Sequence, residues 1–271
     1  EMFRDWLIDL AGVVHDSLTD LTPAQKHMLG DMDRNCPFRE LGTSRTISTL
    51  PGGPFSTPCV NTQAGIFSAL IFRGILFKTV ALYERQSCYF ESYQEWLEFL
   101  ASHSGKDDNY FCNRIPYGAT TGRTHHNTKA FWDGSEALHQ ELQNPAQSFT
   151  KMVKFIKRFP SFGDLGSYLL AVDLVYAGRI KSPSIEELGK MVYWLGKGAE
   201  HGLQKLGLVS FEDPQEAAVE HAFMAVHSFL DNDPAFGLIK EQVGFNFFVL
   251  EHSLCKLSRD NILDKYVPIL P

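Results

Sequence analysis

Apolar residues recur every third or fourth position along most of this chain, and the alternation that marks strands is scarce. Phe3, Trp6, Leu7, Leu10 and Val14 trace one face of an amphipathic helix, and Tyr93, Trp96, Leu97 and Leu100 trace another. Elements of that period bury stripe against stripe, which dictates helix-on-helix packing. The fold class implied is all-α. With 271 residues and 44% hydrophobic content, the chain can bury a substantial core. It reads as a single all-helical domain over 1–271 with roughly nine to twelve helices, taking a mean helix length of about 11–12 residues.

Within that frame, residues 64–85 read as one long apolar helix. Arg73 and Lys78 inside it mark a buried core helix and not a membrane span. Residues 147–159 return to helix, and 236–258 form the last long one. Residues 36–58 are rich in Gly, Pro, Ser and Thr and read as an extended loop. Residues 105–134 lack a period and are largely polar, so they form the longest loop. Functional loops are therefore expected near 36–60 and 105–134. Ser184 with Glu187 has the form of a capping box. Asp213-Pro214-Gln215-Glu216 has the same form, with Pro at the first helical position.

Charge and cysteine usage narrow the function. A net charge of −7 argues against indiscriminate binding to nucleic acid, whose affinity rests on phosphate neutralisation, and leaves room for a local basic face. Five cysteines, scattered and without a CxxC, point away from a disulfide framework and from structural zinc. With no Asn-x-Ser/Thr sequon, an intracellular setting follows as the expectation, cytoplasmic or nuclear. His125 and His126 are adjacent and lack a third ligand at a telling spacing, so no metal is expected. Walker A, GxGxxG and GxSxG sequences are missing, and no cofactor is expected.

Three features can carry chemistry. Pro160 and Gly163 form a turn that opens a helix, and a second glycine-bearing segment spans 196–202. Helix-opening amides with the helix dipole make a cradle for an anion. Lys151, Lys154, Lys157 and Arg158 fall on one helical face before that turn, which suits a nucleic-acid backbone; the bland alternative is a solvated lysine face. Asp173 lies in the apolar run 168–176, and Glu251 in another apolar helix. Asp173 is then either a base or a structural acid bonded to a helix end or an arginine such as Arg179, and Glu251 either accepts a proton or is a surface residue next to a seam.

The order FPSFGDLGSYLLAVDLVY, GKGAEHGL and VLEHSLCK resembles the helical enzymes of thymine hypermodification. These are the alpha-glutamyl/putrescinyl thymine pyrophosphorylases and the related helical domain of hydroxymethyluracil DNA kinases. Pro160, Gly163, Tyr168, Asp173 and Leu174 fit the first motif, and Gly196, Gly198, Ala199, Gly202 and Leu203 the second. Glu251, Leu254 and Cys255 fit the third. The likeness covers about the C-terminal two-fifths and reaches weakly back to Phe67 and Arg73.

That resemblance implies a fold distantly similar to helix-hairpin-helix DNA glycosylases. It also implies a transferase in which an amine or amino acid displaces pyrophosphate from an activated pyrimidine in DNA. Asp173 and Glu251 are then the catalytic candidates. Gly163, Lys197, Gly198, His201, Arg73, Lys154, Lys157 and Arg158 are the phosphate- or nucleic-acid-binding ones. The chain departs from the family pattern at Lys197, where a proline is usual, and at Leu70 and Leu76, where an Asn and an Asp flank the arginine. A second reading exchanges DNA for aminoacyl-tRNA, as in arginine-containing cyclodipeptide synthases. A third is a non-catalytic helical module that binds nucleic acid or a protein. The partners expected are a nucleic acid and an amino acid or amine, with no membrane.

Overall fold

The computed structural model describes residues 1–15, 20–112, 125–144 and 147–259. Residues 1–42 supply α1 (Met2–His15), α2 (Pro23–Gly30) and α3 (Met32–Asn35). The middle of the chain supplies α4 (Thr43–Thr49), α5 (Gln63–Ile71), α6 (Val80–Arg85), α7 (Tyr93–Ser102), α8 (Asp108–Phe111), α9 (Lys129–Glu141), α10 (Phe149–Ile156) and α11 (Asp164–Tyr176). Then come α12 (Ile185–Leu195), α13 (Ala199–Lys205), α14 (Glu216–Asn232), α15 (Gly237–Gln242) and α16 (Phe247–Arg259). Among the described residues there is no strand, and the class is all-α. The sixteen helices among the described residues exceed the expected nine to twelve because several are short; α3 and α8 hold four residues each. Two compact units emerge, residues 1–42 with 184–271, and residues 43–183.

In the first unit, α1 buries Phe3, Trp6, Leu7 and Leu10, as its period predicts. The most extensive pairings are α13 with α16 and α12 with α14. Helix α12 starts at the predicted capping box: Ser184 Oγ accepts the Glu187 N–H at 3.2 Å, and Glu187 Oε2 accepts the Ser184 N–H at 3.0 Å. Ser184→Ala is expected to lower stability by about 1 kcal/mol in urea unfolding, the usual loss for an N-cap hydroxyl. The second box fails. Helix α14 begins only at Glu216, with Gln215 at its N-cap and no side-chain cap, and Asp213 lies before it in a turn where the Ser210 hydroxyl accepts the Glu212 and Asp213 amides. The helix expected over 236–258 is two helices. Gly244, at φ 60, turns the chain, and Asn246 Oδ1 accepts the Phe248 and Val249 amides to start α16.

In the second unit, α5 packs against α9 and is followed by a π-helical segment, Phe72–Leu76. The single helix expected over 64–85 is therefore broken. A side chain at Gly74 would lie 2.8 Å from the Phe131 ring, so the glycine lets that ring approach the wound segment. Lys78, at φ 60, ends it; its N–H donates to Ser44 Oγ at 3.0 Å, and Thr79 then caps α6. The apolar run concealed this break because both halves are core.

Both expected loops hold helix. Helix α4 lies inside 36–58, while α8 and the first turns of α9 lie inside 105–134. The Ser/Thr-rich composition of α4 masked a buried helix that carries Ile47 and Arg45. Residues 113–124 of the second stretch are outside the described residues. On α7, Trp96 is buried as expected, but Leu97 is exposed. Among the described residues, no helix is long and apolar enough to cross a membrane.

Candidate functional site

Asp173 lies in the last turn of α11, a helix in which Tyr168, Leu170, Val172 and Leu174 are all buried. Its own exposure is 0%, with Arg73 at 3% and Arg45 at 2%. Arg73, on the π-helical segment, grips both carboxylate oxygens: Nη2 donates to Oδ1 at 2.8 Å, and Nε donates to Oδ2. Arg45, on α4, brings Nη1 to 3.5 Å from Oδ1. Three separate elements thus converge on one carboxylate. Such a bidentate fork is the strongest arrangement available to an arginine and a carboxylate.

Aromatic faces enclose the two guanidiniums. Arg73 lies 4.6 Å from the Phe77 ring and 5.0 Å from Phe72, and Arg45 lies 4.7 Å from Phe55. Phe72 contacts both Phe55 and Phe77 edge-to-face, so the rings form a continuous wall. Cys88 is buried in the electrostatic reach of the cluster. Burial pushes its thiol far above the usual range despite Arg85, Arg45 and Arg73, which keeps it protonated and unreactive.

This geometry bears on the expected base. Both Asp173 oxygens are committed to arginine donors, an arrangement that suits anchoring arginines better than accepting a proton. The partner also differs from Arg179. That side chain donates to Asn61 Oδ1 at 2.6 Å and to the Leu142 carbonyl at 3.4 Å. Arg73, expected among the phosphate-binding groups, is a buried ion-pair partner. Arg45 carries no sequence signal of its own, because the Ser/Thr-rich stretch around it has the composition of a loop, yet four of the seven residues of its helix are buried.

The basic face before the Pro160 turn is exposed at Lys151, Lys154, Lys157 and Arg158. Acids already meet part of it. Lys151 Nζ lies 3.2 Å from Glu141, and Lys157 Nζ lies 2.5 Å from Asp164. Arg158 stacks 5.2 Å from its neighbour Phe155. The turn itself tucks Phe159 and Phe162 against Phe131, with Ser161 at φ 68. Gly163 is the exposed N-cap of α11, and a side chain there would meet open space.

Residues 196–202 and Glu251 belong to the other unit. A Cβ on Gly198, which has φ 43, would lie 2.6 Å from Cys255 Sγ, and one on Gly202 would collide with the Leu254 carbonyl. These glycines therefore let α13 press against α16, a packing cause for a spacing that also suits an anion cradle. Lys197 and His201 are exposed at this seam, and Glu251 on α16 is 6% exposed. Among the described residues, no group of three His, Cys, Asp or Glu side chains could hold a metal ion.

No protein-family model, curated protein or solved structure matches the chain.

Proposed function

We propose that the chain is a transferase that joins an amino acid or amine to an activated group carried by a nucleic acid. One observation carries this reading. Arg73 and Asp173, which the sequence resemblance selects at positions 100 residues apart, meet in a bidentate pair on a π-helical segment. Wound segments of this kind are frequent at functional sites, because they trade regular helix geometry for the placement of one side chain. In this reading Asp173 is a positioning residue. It fixes the Arg73 and Arg45 guanidiniums, which hold negative charge on the group that leaves.

A second reading, transfer between aminoacyl-tRNAs to give a cyclic dipeptide, draws on the ion pairs of the basic face. With Lys151 and Lys157 engaged by acids, the face suits a short grip on an acceptor end better than tracking along a duplex. Mass spectrometry of small molecules and of bulk nucleosides from expressing cells separates the two. A modified pyrimidine is expected under the first reading and a cyclic dipeptide under the second. Arg73→Lys, which keeps the charge but not the fork, is expected to remove most of either product while the protein stays folded. If neither product forms from the wild type, both readings fall and a non-catalytic binding role stands.

A further inference from the structure

The unit built from both ends of the chain holds a cavity of about 490 Å³, a size suited to a small ligand. Lys26 on α2, Arg34 on α3, and Lys256 and Arg259 on α16 line it. Asp31 is the acid among the lining residues, and its carboxylate accepts the Arg34 N–H at 3.1 Å to cap α3. Four cationic side chains from three helices around one hollow repel one another, in a chain whose net charge is −7. That repulsion is offset when an anion enters.

The floor of the hollow is built differently from its rim. Lys256 is 3% exposed and donates to the Asp33 and Arg34 carbonyls at 2.9 and 2.8 Å, at the C-terminal end of α3. Burial lowers its pKa to about 8, and an entering negative charge would favour the ammonium form further. Lys26, Arg34 and Arg259 are exposed at the rim. A buried cation below exposed ones is an arrangement that orients a multiply charged group. The side of the cavity also carries His27, a further ring donor.

We propose that this cavity binds the phosphate group of a small phosphorylated molecule. This inference stands on the unit's own geometry and does not depend on the transferase reading. A phosphate offers several acceptor oxygens and up to two charges, which matches convergent ammonium and guanidinium donors.

Calorimetric titration of the full chain with inorganic phosphate and with AMP tests it. One site is expected, weakening as salt rises. Lys26→Gln with Arg34→Gln is expected to reduce affinity by roughly tenfold or more, since a hydrogen bond to a charged group contributes about 1.5–3 kcal/mol. The thermal midpoint should hold, because both side chains are exposed. Lys181→Gln, an exposed lysine in the other unit, should bind as the wild type does. Tighter binding of AMP than of phosphate would assign the ligand as a nucleotide; equal binding would assign the phosphate group alone. The proposal is overturned if neither ligand binds at millimolar concentration, or if the double variant binds like the wild type. It is also overturned if only a single-stranded oligonucleotide depends on these residues, which would make the hollow part of a polynucleotide surface.

Discussion

Asp173→Asn is expected to destabilise the fold by about 3–5 kcal/mol, the usual consequence of removing one partner from a buried ion pair. Nearly equal shape does not protect it. The new amide presents an N–H where the carboxylate accepted one from Arg73, and it leaves the guanidiniums of Arg73 and Arg45 buried without their shared negative charge. Viewed from sequence alone, an isosteric change at a catalytic base should abolish turnover and leave stability intact. The observed geometry reverses the expected order of effects. Urea unfolding of the single variant and of Asp173→Leu with Arg73→Met measures this. The double variant removes the Arg73–Asp173 pair and leaves only Arg45 without its carboxylate, so it should be less destabilised than the sum of its parts. A wild-type midpoint for Asp173→Asn would show that the pair contributes little. The cluster would then have to be retained for function alone.

What the sequence revealed here divides along physical lines. Helical class was legible because a period of 3.6 is local and repeats in nearly every segment. Helix ends were harder. Ser184 announced itself because its capping partner lies three residues away, whereas the break at Lys78 rests on Ser44, 34 residues distant. The break was also hidden inside uninterrupted apolar sequence. Asp173 stood out as a charge in a core helix, but its partner did not: an ion pair across 100 residues leaves no local trace. Arg45 was hidden by the Ser/Thr-rich stretch around it, whose composition is that of a loop. Glycine spacing proved ambiguous, because a cradle for an anion and a close helix crossing both demand the absence of a side chain.

That ambiguity yields the second large effect. Gly202→Ala is expected to destabilise the first unit by about 1–3 kcal/mol, the range for overpacking a filled interior. The added Cβ would collide with the Leu254 carbonyl and lie 3.0 Å from the Leu254 Cα. These are backbone atoms, so no rotamer change relieves the contact and α13 must move off α16. Gly163→Ala is the matched control. Its Cβ would meet open space, and its φ of −85 suits any residue, so only the small loss of an N-cap glycine applies. Thermal unfolding of both variants, with phosphate titration of each, separates packing from binding. A loss of midpoint for Gly202→Ala alone identifies a helix seam. If Gly202→Ala instead keeps the wild-type midpoint and loses a phosphate site that Lys26→Gln with Arg34→Gln leaves intact, the helix crossing tolerates the methyl group and the 196–202 segment is a ligand cradle.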